Sequence, residues 1–370
     1  MGTVSQSHGA AETKEHHMAS WNPEFTHEGL PMRVRMRPGA LADLPGETRS
    51  LGLDRPLVLS TPGQERTARA AADALGERTA GVHPHAAAHV PTASADAANA
   101  AVRAAGADGC VAIGGGSAIG LGKAVALRQR LPVVAVPTTY AGSEMTPVWG
   151  ITGEDGKHTG RDRGVLPASV IYDPELTTTL SPHTSTMSGI NAIAHAVEAL
   201  YAPDSSPLTA LMAEEGVRAL AEALPAVTAD PSDTAARGRA QYGAWLCGSC
   251  LGTATMGLHH KLCHALGGML DLPHADTHAT VLPHVLAHNA PAAPRAHAAL
   301  RRALGSDDPV SALRALASTA SAPTTLAELG MTRADVEPVT ERVLAAPYAN
   351  PRPVTAEGVR GILRSAMGTP

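Results

Sequence analysis

The residues best placed to do chemistry are histidines. Asn191 and His195 stand four apart in Gly189-Ile190-Asn191-Ala192-Ile193-Ala194-His195-Ala196-Val197-Glu198, which puts both on one helix face. His260 and His264 repeat the spacing in Leu258-His259-His260-Lys261-Leu262-Cys263-His264, and His274 follows ten residues later. Two helices offering side chains at i and i+4, with a further histidine from a loop, can surround a divalent ion or a substrate carbonyl. A single histidine would read as a satisfied core residue; four at these spacings read as a site.

A second chemistry is carried by glycine. Gly114-Gly115-Gly116-Ser117 comes straight after the apolar run Cys110-Val111-Ala112-Ile113 and opens a helical stretch. Glycines there let backbone N–H groups approach a phosphate, and a helix N-terminus adds partial positive charge, so the segment is a candidate pyrophosphate cradle. It has neither the spaced G-x-G-x-x-G nor a P-loop ending, since Ala124 follows Gly122-Lys123. The hydroxyl-rich Pro137-Thr138-Thr139-Tyr140-Ala141-Gly142-Ser143-Glu144 follows the next apolar run, where open α/β sheets bind ligands. The expected dinucleotide contacts are Thr61, Gly114, Gly115, Gly116, Ser117, Thr138, Thr139 and Ser143.

These groups need a scaffold. Leu57 to Thr61, Cys110 to Ile113, Val133 to Val136 and Val170 to Asp173 read as buried parallel strands, with helices over 68–75, 95–105 and 117–128 between them. After residue 180 the β-type runs give way to Ala-, Leu- and Met-rich stretches over 188–201, 207–224, 235–251 and 256–270. The expected organisation is a flexible tail over 1–22, an α/β dinucleotide-binding domain over 23–179 and an all-helical catalytic domain over 180–370. Cys247 and Cys250 form a C-x-x-C inside an apolar run and read as small core residues, because no second pair completes a zinc site.

Composition narrows the partners. Nine aromatic rings, from 1 Phe, 3 Trp and 5 Tyr, provide no base-stacking platform, and a formal charge of -5 gives no pull on a phosphate backbone. No apolar run is long enough to cross a membrane, and Lys14, His16 and His17 interrupt any signal-peptide core. The expectation is a soluble cytoplasmic protein acting on a small molecule, without nucleic acid or membrane as partner.

Together the motifs resemble those of the iron-containing (group III) alcohol dehydrogenases, most closely the maleylacetate reductase branch. The likeness runs from about Phe25 to Pro353-Val354-Thr355, through the Gly114 cradle, 138–147, 188–201 and 258–264. It implies an α/β dinucleotide domain followed by a helical domain, an active-site cleft between them, NADH or NADPH as cofactor, and a homodimer. It places the family's four metal ligands on Asn191, His195, His260 and His274, and the histidine beside the nicotinamide on His264. The metal-dependent members carry aspartate where this chain has Asn191, whereas maleylacetate reductases are similar in carrying asparagine. The resemblance therefore implies no obligatory metal.

Maleylacetate is a dianionic 4-oxo-2-enedioate, and hydride delivery to the carbon β to its ketone builds negative charge on the ketone oxygen. A preorganised donor must stabilise that oxygen. His264 or His260 is the candidate donor and general acid, with His195, His274 and Asn191 completing the polar wall. Lys261, Arg161 and Arg163 are candidate partners for the substrate carboxylates, and Tyr140 a further substrate contact. Ser60-Thr61 stands where NAD-selective relatives place an acid, so both NADH and NADPH are expected to bind. The rival reading is a metal-dependent alcohol dehydrogenase acting on simple aldehydes.

Overall fold

Short runs of valine, isoleucine and alanine, too apolar to leave either face in water, form the centre of a six-stranded sheet. In the computed structural model, which describes residues 25–30, 32–320 and 323–368, the strands are β1 (Arg33–Met36), β2 (Pro56–Ser60), β3 (Val82–His83), β4 (Gly109–Gly114), β5 (Val133–Pro137), β6 (Val148–Gly153), β7 (Gly156–Arg161) and β8 (Ser169–Tyr172). The tail expected over 1–22 lies outside the described residues.

The sheet order is β1-β8-β5-β4-β2-β3, and every pairing in it is parallel. Helices α1 (Leu44–Ser50), α2 (Glu65–Leu75), α3 (Thr92–Ala105) and α4 (Gly116–Gln129) connect the early strands. The chain moves outward from β2 to β3, then returns across β2 to lay down β4. Direction thus reverses between β2 and β4, the kind of crevice in which doubly wound sheets hold ligands. Two additions were not legible: the edge strands β1 and β3, and an antiparallel hairpin of β6 and β7 outside the main sheet.

After β8 the described chain is helical: α5 (Pro182–Leu200), α6 (Pro207–Ala229), α7 (Thr234–Thr253), α8 (Leu258–Leu270), α9 (His274–Asn289), α10 (Pro294–Leu304), α11 (Pro309–Ser318), α12 (Val336–Leu344) and α13 (Ala356–Ala366). Helix α5 begins at a Ser181 cap with Pro182 in its first turn, and everything from Ser185 to Ala199 is buried. It can be buried all round because glycines in the bundle let the helices pack closely. A Cβ on Gly189 would lie 2.7 Å from Leu224 of α6, and one on Gly243 of α7 would lie 2.9 Å from the Gly216 carbonyl of α6. Cys247 and Cys250 are free thiols in this core.

The two halves meet backbone to backbone. Gly142, at φ +78°, lies against Gly248 of α7 so closely that a Cβ on either would come within 2.9 Å of the other's main chain. No described helix is long and apolar enough to cross a membrane.

Candidate functional site

The cradle is built by leaving side chains out. Gly114 ends β4 at φ +144°, where a Cβ would also strike Ala118 at 2.9 Å, and a Cβ on Gly115 would meet Thr139 at the same distance. No side chain caps α4, so its first-turn amides, with Gly116 and half-buried Ser117, face outward for an anion. Thr138 is buried and its N–H donates to the Gly114 carbonyl at 3.0 Å, while Ser143 keeps a buried hydroxyl without a partner among the described residues. Thr61 follows the end of β2, on the other side of the crevice. These features fit a dinucleotide pyrophosphate.

Lys123 ties this loop to α4. Its Nζ donates to the Ser143 carbonyl at 2.6 Å, the Val148 carbonyl at 2.8 Å and the Thr146 hydroxyl at 2.9 Å. Burial pulls this lysine down to about 7, against the opposing pull of Glu144.

The helical half crowds its side chains together. Asn191, His195 and Glu198 lie along one buried face of α5, and the N-terminus of α8 meets that face. The Glu198 carboxylate accepts N–H groups from Gly257 at 2.9 Å and His259 at 2.8 Å, so it caps α8 across the helix crossing. It is also 2.6 Å from Nδ1 of His260. Burial would raise this carboxyl, but His260 and the His259 amide outweigh it and hold Glu198 at about 2. The line continues from His260 Nε2 to His195 Nδ1 at 2.8 Å, and from His195 Nε2 to the Ala141 carbonyl at 3.2 Å.

His264 and His274 are exposed, with rings near-parallel and centroids 6.5 Å apart. Neither ring nitrogen pair has a hydrogen-bond partner among the described residues. Desolvation by the surrounding walls, with repulsion from His260, pushes His264 down to about 3; desolvation, then Lys157 and His260, pushes His274 down to about 4. Behind them His259 Nε2 and His278 Nδ1 are 3.0 Å apart, with Cys263 Sγ 3.7 Å from His259 Nε2. This fully buried trio backs the ring of His260, whose centroid is 5.1 Å from that of His278.

The structure thus brings Asn191, His195, His260, His264 and His274 into one region. Three other expected substrate contacts, Tyr140, Arg161 and Arg163, are corrected. Tyr140 is fully buried, with its hydroxyl 3.3 Å from Thr177 and 3.2 Å from Arg237, so it faces the helical core and not a ligand. Arg161 donates to the Gly252 carbonyl, and Arg163 pairs with Glu28 at the surface; both guanidinium groups are committed elsewhere. Lys261 is exposed on α8, 5.5 Å over the Tyr348 ring.

Glu198, His278 and Lys157 were not assigned roles from the sequence. Glu198 lies seven residues after Asn191 and His278 four after His274, spacings that share a helix face and could have revealed both. Lys157 sits on β7, where nothing in the local pattern marks it.

To a divalent ion, Asn191, His195, His260 and His274 would offer three neutral imidazoles and an amide, with no anionic ligand. Asn191 brings no charge, and its buried Oδ1 lacks any partner among the described residues. His195 and His260 turn ring nitrogens on each other, and the second nitrogen of His260 belongs to Glu198.

The iron-containing alcohol dehydrogenase family matches residues 31–174, and its C-terminal counterpart, the Fe-containing alcohol dehydrogenase family, matches residues 185–367. A maleylacetate reductase of Delftia acidovorans is 50% identical over 347 residues, covering 94% of this chain and 99% of its own. One from Pseudomonas knackmussii is 52% identical over 342 residues, covering 92% of this chain and 97% of its own. The crystal structure of maleylacetate reductase from Agrobacterium tumefaciens matches with a TM-score of 0.90 at 48% identity, over 93% of this chain and 98% of that one.

Proposed function

The chain belongs to the iron-containing alcohol dehydrogenase family, on its maleylacetate reductase branch, and from that premise we propose that it reduces maleylacetate, or a closely related 4-oxo-2-enedioate, using NADH or NADPH. The observation that carries this reading is the contrast within the histidine cluster. His260 has both ring nitrogens spent, on Glu198 and His195, whereas His264 and His274 present uncommitted nitrogens to the cleft.

A reduced nicotinamide bound through the Gly114–Ser117 cradle supplies the hydride. The chain's own groups then handle the charge and the proton. His264, held low, meets the substrate as neutral imidazole, and its ring N–H donates to the ketone oxygen as negative charge builds there. The imidazole keeps its proton and stays neutral, and the enolate takes up a proton from solvent at the carbon next to the ketone, which restores the ketone in the product. His274 and the Asn191 amide line the same wall, and the Glu198–His260–His195 line fixes that wall in place.

Absence of an acidic side chain at Ser60-Thr61 supports acceptance of both dinucleotides. The product of maleylacetate is 3-oxoadipate, and a role in the degradation of aromatic compounds is part of the same proposal. By the same family likeness it acts as a cytoplasmic homodimer. Steady-state oxidation of NADH and NADPH with maleylacetate, run beside a panel of simple aldehydes, is the direct test. Turnover of maleylacetate unaffected by chelator is expected. Activity on aldehydes alone, lost with chelator, would favour a metal-dependent alcohol dehydrogenase instead.

A further inference from the structure

Two buried polar side chains, Arg237 and Tyr140, take no part in the proposed reaction, and they touch each other. Arg237, in the first turns of α7, is fully buried, and no carboxylate among the described residues pairs with it. Its Nε donates to the Pro231 carbonyl at 3.1 Å, and one terminal nitrogen to the Leu180 carbonyl at 3.0 Å. The other terminal nitrogen donates to the Ser185 hydroxyl at 2.7 Å and the Tyr140 hydroxyl at 3.2 Å. Every acceptor is a neutral oxygen. Burying a charge without a counter-charge is costly, so core packing alone does not account for an arginine here. What the planar fork supplies is geometry, since it fixes to one rigid group the α6–α7 turn, the link from β8 to α5, the start of α5 and the loop after β5.

In that last segment, consecutive residues face different parts of the molecule. Thr139 lies against the cradle, its methyl 2.9 Å from where a Cβ on Gly115 would be. Ala141 turns its carbonyl to His195 Nε2 at 3.2 Å, at the end of the line that starts from Glu198. Tyr140, between them, is held at both ends. Its N–H donates to the Ser188 hydroxyl at 3.4 Å, while its own hydroxyl accepts from Arg237 and donates to Thr177 at 3.3 Å. Ser185 and Ser188 belong to α5, the helix that carries His195. Planar peptide bonds join Thr139, Tyr140 and Ala141, so a shift of Tyr140 moves a contact in each half of the cleft.

We propose that Tyr140 and Arg237 are positioning residues for hydride transfer: through Thr139 and Ala141 they set the register between the dinucleotide cradle and the histidine line. Seating the dinucleotide on one side is then felt by His195 on the other. The proposal rests on the reductase reading and adds to it the groups that align its two half-sites. Misplacing reacting atoms by about 1 Å can cost about a hundredfold in rate, so even a small loss of register is measurable.

Tyr140→Phe keeps the ring in the core and removes only the hydroxyl. In single-turnover oxidation of bound NADH by maleylacetate, hydride transfer per bound dinucleotide is expected to slow about tenfold, with NADH affinity within about twofold of wild type. A merely structural role would lower the melting temperature and the fraction of active protein while leaving that per-site rate alone. Arg237→Met should cost at least as much, and Arg237→Lys, which keeps a donor for the hydroxyl, should restore part of the rate. If Arg237→Met does not fold, Tyr140→Phe carries the test by itself.

The second measurement needs no substrate. In hydrogen–deuterium exchange, NADH should slow the amides of residues 137–145 in both wild type and Tyr140→Phe. It should slow the amides of 257–260, which Glu198 holds, in wild type only. An unchanged per-site rate in Tyr140→Phe overturns the proposal, as does protection of 257–260 that is missing from wild type or survives the substitution. Protection that follows Tyr140 in a protein unable to reduce maleylacetate would instead fault the reaction and spare the coupling.

Discussion

The two halves of the cleft reach binding competence by opposite means. The α/β half works by omission: Gly114, Gly115 and Gly116 bring bare backbone to the end of β4, and the uncapped start of α4 offers its amides. The helical half works by crowding, with Glu198, His195, His259, His260 and His278 packed into contact and buried, while His264 and His274 stay exposed with no hydrogen-bond partner among the described residues. A phosphate is a large anion that many N–H groups can share, so space is what it needs. A single ketone oxygen needs one donor held still, and crowding provides that.

The largest effect expected from breaking this contrast is on stability. Glu198→Gln leaves the α8 amides and His260 facing an amide group where an anion stood, and about 3 kcal/mol should be lost in denaturant unfolding. A loss below about 1 kcal/mol would show that the carboxylate is not the organiser of the cluster.

His264→Ala strikes the freed donor instead. Turnover is expected to fall by about a hundredfold or more while dinucleotide affinity, measured by fluorescence titration, stays nearly intact. Near-wild-type turnover would sink the assignment.

On the other side of the cleft, Gly115→Ala places a methyl group 2.9 Å from Thr139 and should weaken dinucleotide binding about tenfold. Adding Thr139→Ser removes the nearest methyl and should recover much of the loss. The mildest test is Thr61→Asp, which sets a charge against a 2'-phosphate. NADPH should lose about tenfold in kcat/KM relative to NADH. An unchanged ratio would move the ribose contact away from the end of β2.

How much of this could be read in advance follows from the range of each signal. The central strands and their helices were legible to within a few residues, because buried parallel strands write themselves as continuous apolar runs. β7 was not, since Gly156-Lys157-His158-Thr159-Gly160-Arg161 is polar and mostly exposed, with no period to detect. β3 is two residues long. In the site, the i, i+4 pairs were visible because they are properties of single helices. What His260 bonds to depends on how α5 crosses α8, and no local pattern encodes a crossing. Tyr140 was misplaced for the same reason: a hydroxyl in a ligand-binding loop points to whichever side has a partner, and here Thr177 and Arg237 supplied it from the core.

The meeting of Gly142 and Gly248 bears on which sequences could ever replace this one. At Gly115 the obstacle to a larger residue is a side chain, so a second substitution can remove it. At Gly142 and Gly248 the obstacle is main chain on both sides, which every amino acid carries. No suppressor among neighbouring side chains exists for a lesion there, and the two positions, distant in sequence, form a single inherited requirement.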